Sequence, residues 1–175
     1  MRVVAGRHKG RRLRAPAGEG TRPTADRVRE ALFSILGSVD GLRVLDLYAG
    51  SGALGIEALS RGAGSATFVE SARPALAAIR ANLDATGDDA EVAAADAIGW
   101  LRSAGEREFD LVFCDPPYDA AAQIAQPLTD LLPRVAAPQA LIVTESSKRN
   151  PLALDLPLTA ERTYGDTRIA IHRGG

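Results

Sequence analysis

Arg43-Val44-Leu45-Asp46-Leu47-Tyr48-Ala49-Gly50-Ser51-Gly52-Ala53-Leu54-Gly55 is the stretch on which the reading of this chain of 175 residues depends. A short apolar run ends in an aspartate, a glycine-rich turn follows, and Ala53 to Arg61 then has helical spacing. A strand, a tight turn and a helix N-terminus form the usual seat for a nucleotide-like ligand on an α/β sheet. Gly50 and Gly52 let the backbone turn sharply and approach that ligand closely. Gly50-x-Gly52-x-x-Gly55 also fits the dinucleotide fingerprint, and Glu70 lies twenty residues beyond Gly50, where a ribose-binding acid is expected. The adenosine half of S-adenosylmethionine asks for the same acid. Nicotinamide, flavin and S-adenosylmethionine enzymes all stay open at this point.

Outward from that stretch the pattern repeats strand then helix. Val44 to Leu47 is the first strand, and its helix ends near Arg61-Gly62. Ser65 to Val69 is a second strand with Glu70 at its carboxyl end, followed by a helix from about Pro74 to Leu83, whose start tolerates proline. Leu76, Ile79 and Leu83 mark the buried face of that helix. Glu91 to Ala94 is a weak strand leading to Asp96, and a helix runs from Ala97 to about Ala104. Phe109 to Cys114 is a strand, Ala120 to Leu132 a helical stretch interrupted by Pro127, and Ala140 to Thr144 a buried strand. Leu158 to Thr163 and Thr167 to His172 read as an antiparallel hairpin turning at Gly165-Asp166. Near-continuous apolar strands alternating with helices predict an α/β fold with a largely parallel, doubly wound sheet.

Upstream, Thr24 is a candidate N-cap for a helix through about Leu36, with Asp26 in its first turn and Gly37 as its stop. Val28, Ala31, Leu32, Ile35 and Leu36 have the spacing of a core-facing stripe. Arg22, Arg27 and Arg29 are left to reach solvent or substrate. This leading helix, residues 21–37 of a body spanning 21–175, could form a lid or platform or simply pack. Residues 1–20 read as a separate basic arm or small hairpin, ending in a Pro/Gly linker from Ala15 to Gly20.

The net charge of -1 hides an asymmetry. Residues 1–30 carry nine basic side chains against three acids, and the rest of the chain carries twelve against nineteen. A near-neutral body with one strongly basic end points to a polyanionic partner held through that end. Arg7, Lys9, Arg11 and Arg12 are dense and have no acids close in sequence, and arginine forks suit phosphate oxygens in a sequence-blind way. No apolar run approaches eighteen residues and no apolar segment follows Arg2, so neither a membrane span nor a secretory signal is expected. The expected compartment is the cytoplasm. The lone Cys114 is read as buried and inert, and with two histidines the chain offers little for a metal site; none is expected. Trp100 is read as a packing residue.

Asp115-Pro116-Pro117-Tyr118 follows the strand Phe109 to Cys114, at the edge where α/β sheets bind ligands. Two prolines remove two backbone donors and stiffen the turn. A carboxylate beside a fixed carbonyl accepts hydrogen bonds without donating any. That suits an exocyclic amine, whose two N–H groups it holds while the lone pair points elsewhere. Tyr118 offers a flat ring to stack on the base that bears the amine.

This tetrapeptide, behind Asp46-x-x-x-Gly50-x-Gly52, resembles the methyltransferases that use S-adenosylmethionine on the amino groups of adenine N6 or guanine N2. Three blocks resemble one family in particular, the bacterial 16S ribosomal RNA guanine-N2 methyltransferases that modify nucleotide 966. They are Gly6-Arg7-x-x-Gly10-Arg11-x-Leu13, Arg22-Pro23-Thr24-x-Asp26-Arg27-Val28-Arg29-Glu30, and Leu45-Asp46-x-x-Ala49-Gly50-Ser51-Gly52-Ala53-Leu54-Gly55. The resemblance covers essentially the whole chain. It implies a Rossmann-like methyltransferase fold, mainly parallel, with a C-terminal antiparallel hairpin and a small basic N-terminal extension. It also implies S-adenosylmethionine as cofactor. Asp46, Ala49, Gly50 and Gly52 would line the methionine end of its pocket. Glu70 would bind the ribose hydroxyls, Asp96 the adenine amine, and Ala97 would add a backbone N–H. Asp115, Pro116 and Tyr118 would hold the substrate amine, with Pro117 beside them. The implied partner is 16S rRNA within a small-subunit assembly intermediate, and the expected state is a monomer.

Three other readings remain. A methyltransferase acting on DNA or on 23S RNA shares the tetrapeptide chemistry. An NAD-dependent oxidoreductase fits the glycines and Glu70 but leaves Asp115 to Tyr118 and the basic end unused. A non-catalytic RNA-binding protein on the same fold would bind no cofactor.

Overall fold

A computed structural model describes residues 1–16 and 26–174. Seven strands form one sheet in the order β3-β2-β1-β4-β5-β7-β6. The five strands β1 (Arg43–Leu47), β2 (Ser65–Glu70), β3 (Glu91–Ala94), β4 (Phe109–Cys114) and β5 (Ala136–Ser147) run parallel. The last two, β6 (Leu158–Tyr164) and β7 (Thr167–Arg173), form the antiparallel hairpin, with Gly165 at φ 62° in its turn. The strand order reverses between β1 and β4, so their carboxyl ends open a crevice.

The alternation of strand residues divides the interior in two. Val44, Phe68, Leu111, Phe113, Val143 and Ile169 face α1 (Asp26–Leu36), α2 (Ala53–Ser60) and α3 (Arg73–Thr86). Leu45, Leu47, Val69, Val112 and Ile142 face α4 (Ala97–Ser103) and α5 (Ala121–Leu131). Both faces are covered by helices, which is why these strands read as unbroken apolar runs. Cys114 is buried, and Trp100 packs on Phe109 at 6.2 Å between ring centroids.

The first residues form a hairpin. Val3 N–H donates to Arg11 O at 2.9 Å, Gly10 N–H to Val3 O at 2.8 Å, and Arg2 bridges Arg12 antiparallel. Val3 and Leu13 are buried in the same core as Phe33 and Leu54. At the tip a Cβ on Gly6 would lie 1.8 Å from Ser60 O, so only glycine permits the seat on α2.

Four expectations are corrected. In α1 Leu32 is buried and Val28 and Leu36 pack on the core as expected, but Ile35 is exposed, and Arg29 and Phe33 are buried beside Leu32. Arg29 therefore does not reach solvent. Its guanidinium donates to Asp26 at 2.8 Å and to the Arg2 carbonyl, and lies 3.8 Å from Glu57. Arg7, which has no acid close in sequence, pairs with the distant Asp88. The helix α5 continues through Pro127. The carbonyl that lacks a partner there belongs to exposed Gln123, where water can satisfy it. Strand β5 starts four residues early, with Gln139 at φ 69° in an irregular stretch where the register with β4 shifts. The N-cap expected at Thr24 and the substrate contact expected of Arg22 lie outside the described residues.

Candidate active site

A cavity of about 720 Å³ opens at the carboxyl ends of β1, β2, β4 and β5, a size typical of a site for one small ligand. Its walls bring together Asp46, Ala49, Gly50, Glu70, Asp96, Asp115, Pro116 and Pro117 from stretches far apart in sequence.

Asp46 lies on the α2 face of β1 and is buried. Its Oδ2 accepts the Gly55 N–H at 2.9 Å. Burial pushes the Asp46 carboxyl up to about 7, the Gly55 bond opposing and the Glu70 charge adding to the shift. Gly55 is needed for that approach, since a Cβ there would meet the Phe68 ring at 2.4 Å. Beyond Leu47 the chain passes through Tyr48, a non-glycine residue at φ 57°, then Gly50 at φ 56° and Gly52 at φ 76°. Such strain is characteristic of ligand-binding turns.

Glu70 organises the neighbouring rim. One oxygen accepts the Gly50 N–H at 2.9 Å; the other accepts Ser71 and Ala72 N–H, each at 2.8 Å. It thus ties the glycine turn to the start of α3. Asp96 is exposed on the wall and caps α4 by accepting the Gly99 N–H at 2.8 Å. Two expected residues stand behind the wall. Gly52 is the left-handed start of α2, and Ala97 is buried among the residues that face α4 and α5.

Asp115 follows β4 directly and is half-buried. Burial holds its carboxyl well above the ordinary aspartate value, and the charges of Glu145 and Asp46 push it the same way. Pro116 is buried and Pro117 exposed; the Pro117 carbonyl accepts the Ala120 N–H at 3.0 Å. Tyr118 begins a short 3-10 turn, Tyr118–Ala120, but the stacking expected of its ring concerns a side chain outside the described set.

The family model for Conserved hypothetical protein 95 matches residues 1–173. Ribosomal RNA small subunit methyltransferase D of Haemophilus influenzae is 36% identical over 174 residues, 94% of this chain and 89% of its own. The Bacillus subtilis protein YlbH is 41% identical over 186 residues, 99% of this chain and 98% of its own. The chain belongs to the ribosomal RNA small subunit methyltransferase D family. A solved Thermus thermophilus structure superposes on this methyltransferase D homologue with a TM-score of 0.84 at 32% identity, covering 99% of each chain. The family resemblance and the Rossmann-like fold with its terminal hairpin both stand.

Sequence reasoning missed Glu145 in this methyltransferase. It is buried at the carboxyl end of β5 and lines the cavity beside Asp115. A carboxylate directly after the apolar run Ala140 to Thr144 was the signal available. Met1 and Pro16 also line the cavity, so the base of the N-terminal hairpin closes one side.

The basic side chains Arg7, Lys9, Arg11 and Arg12 are exposed on that hairpin, and Arg27 is exposed on α1. Arg7 is not beside the cavity. Its N–H bonds Ser60 O at 2.8 Å, at the far end of α2, whose first residues Ala53 and Leu54 line the cavity. Eight helical residues span about 12 Å, so the tip stands that far below the crevice. Among the described residues, no helix is long and apolar enough to cross a membrane, and no cluster of three His, Cys, Asp or Glu could hold a metal ion.

Proposed function

We propose that this chain transfers a methyl group from S-adenosylmethionine to the exocyclic N2 amine of guanine 966 in 16S ribosomal RNA. The observation that carries this is one cavity shared by Asp115-Pro116 and the Asp46, Gly50 and Glu70 cradle. The cradle fits the cofactor on its own chemistry. A sulfonium ion brings positive charge into a cavity whose cofactor-side walls carry Asp46 and Glu70. A carboxylate can accept about four hydrogen bonds, so Glu70, with three backbone donors, keeps capacity for a ribose hydroxyl. Asp46, Ala49 and Gly50 would face the methionine end and Asp96 the adenine, while Gly52 and Ala97 act through backbone shape.

When bound, the cofactor supplies a methyl group on a good leaving sulfur. The protein supplies position. Guanine N2 is a poor nucleophile, because its lone pair is delocalised into the ring, so orientation and charge stabilisation matter most. Asp115 and the Pro116 carbonyl hold the two N–H groups and aim the lone pair, and Tyr118 stacks on the base. The exposed arginines of the hairpin bind phosphates. With the tip about 12 Å below the crevice, those phosphates lie away from the target guanine. A small-subunit assembly intermediate presenting that guanine is the proposed substrate, and the enzyme acts as a monomer.

The test uses tritiated S-adenosylmethionine and small-subunit particles that lack the modification, with the labelled nucleoside identified after digestion. N2-methylguanosine at nucleotide 966 is the expected product. N6-methyladenosine would keep the amine chemistry and refute the target; absence of label with competent particles would refute the activity.

A further inference from the structure

The amine-holding carboxylate is not alone on its face of the sheet. Strands β4 and β5 are parallel with Cys114 beside Thr144, so the next residues, Asp115 and Glu145, sit at matched register. Side chains alternate faces along a strand, and adjacent strands lie about 4.8 Å apart. Phe113 and Val143 point to the α2 side, and two residues on, Asp115 and Glu145 share that side. Asp46 is on the same face of β1, and all three line the cavity. Glu145 is 6% exposed.

We propose that Glu145 is the partner of Asp115 in a carboxylate pair that shares one proton and takes up the proton lost by the methylated amine. The proposal rests on the reading that Asp115 holds that amine. Two carboxyls side by side on adjacent strands, one buried and one half-buried, do not both ionise readily. The pair enters the reaction with one proton and one negative charge, with the ionised oxygen of Asp115 toward the amine. The nitrogen gains a bond to the donated methyl carbon as the carbon–sulfur bond breaks, which discharges the sulfonium and leaves the nitrogen with one proton in excess. That proton passes to Asp115, the pair becomes neutral with two protons, and solvent later removes one.

The groups facing the pair favour uptake. From β1, Asp46 adds a third carboxyl. From β7, the residue beside Glu145 is Ile169, and Arg168 is engaged with Glu161 at 2.8 Å. Cys114 lies on the opposite face of β4, and burial pushes its thiol up, so it stays neutral. Lys148 and Arg149, beyond the end of β5, are exposed to solvent. Burial raises the Asp115 carboxyl first, and Glu145 is the largest charge adding to that shift.

The experiment combines single-turnover methylation of undermodified small-subunit particles across pH with carbon-13 NMR titration of aspartate carboxyls in the free enzyme. In wild type the Asp115 carboxyl should titrate in two steps, the upper one held high by the charge on Glu145. In Glu145→Gln that upper step should be lost, leaving a single step roughly one pH unit or more below it. The acid limb of the rate profile, which reports uptake of the second proton, should stay near its wild-type position while the plateau rate falls. Glu145→Asp should keep both steps, and S-adenosylmethionine affinity should be unchanged in both variants. A lower plateau with the Asp115 titration the same as in wild type would make Glu145 merely structural and overturn the pair. Weakened cofactor binding that accounts for the lost rate would assign Glu145 to the methyl donor and also overturn it. Should Glu145→Gln fail to fold, the Asp115 titration in the wild-type protein decides, since an ordinary aspartate value there excludes a shared proton. Asp115→Asn with wild-type turnover would instead sink the amine-holding reading on which the pair depends.

Discussion

Two regions of this protein bury charge, and they do so in opposite ways. Where the N-terminal hairpin docks on α2, the Glu57 carboxylate is fully buried and accepts Val4 N–H at 2.7 Å, Ala5 N–H at 2.9 Å and Arg61 Nε at 2.7 Å. Buried Arg29 approaches it at 3.8 Å and holds Asp26 and the Arg2 carbonyl. At the crevice, Asp46 and Asp115 are pushed upward by burial and by neighbouring acids. The first arrangement ties the hairpin to the helix through opposite charges; the second gathers like charges and raises their proton affinity. Buried charge matched by opposite charge is architecture, whereas like charges gathered at a strained turn mark chemistry.

The comparison breaks most sharply at its catalytic side. Asp115→Ala should lower turnover on the order of 10²-fold to 10³-fold or more and leave S-adenosylmethionine binding largely intact. Methyl transfer measured beside calorimetric cofactor titration separates the two effects, and unchanged turnover would remove Asp115 from its role. At the docking side, Glu57→Ala leaves Arg29 buried without this partner and should cost about 3–5 kcal/mol of stability. Chemical denaturation reads that loss directly. A cost near zero would mean that the hairpin interface contributes nothing to the fold.

Asn82 joins the two regions. Its side chain accepts Arg14 N–H at 2.7 Å and donates to Arg14 O at 3.0 Å and Ser51 O at 2.9 Å, tying the hairpin to the glycine turn. Asn82→Ala should cost about 1–3 kcal/mol and weaken cofactor binding as well. A stability loss with unaltered cofactor affinity would uncouple hairpin and turn.

Another effect concerns pH. The folded carboxyl of Asp46 is raised from 3.8 to about 7, so the folded state binds the extra proton. The resulting destabilisation is absent below the unfolded value, grows across that window and is complete above about pH 7. Asp46→Asn should therefore gain roughly 3–4 kcal/mol at pH 8 relative to its difference from wild type near pH 4. Thermal melts at the two pH values check the sign, and equal differences would refute it. Smallest in energetic terms, neutralising Arg11 and Arg12 together, which keeps the Arg7–Asp88 pair in place, should leave stability nearly unchanged while weakening RNA binding. The slope of log affinity against log salt should fall by about 0.7–0.9 for each phosphate the hairpin no longer neutralises. An unaltered slope would return these arginines to the status of solvated charges.

The fold was legible in the sequence because local rules act over short distances. The run from Val44 to Gly55 announces strand, turn and helix by itself, and Gly37 and Gly165 mark stops whose positive φ the structure shows. The α1 stripe held at Val28, Leu32 and Leu36 and failed at Ile35 and Arg29, because apolar spacing says nothing about a charged partner elsewhere. Arg29 is buried since Glu57, nearly thirty residues on, waits beneath it. Pro127 misled because its effect depends on whether Gln123 meets water, which is a question of tertiary placement.

The candidate site divides in the same manner. Asp46, Gly50, Glu70 and Asp115 stand in short motifs that the sequence displays and that carry its family resemblance, and the cavity brings all four together. Register alone could set Glu145 beside Asp115, because the pairing of β4 with β5 joins segments some thirty residues apart. Chain packing alone could lay the basic hairpin along α2, with its base at the cavity and its tip at Ser60. Motifs record the local geometry a reaction needs. Proton affinity and substrate reach arise from which distant groups share one low-dielectric space, and that is decided only when the sheet assembles.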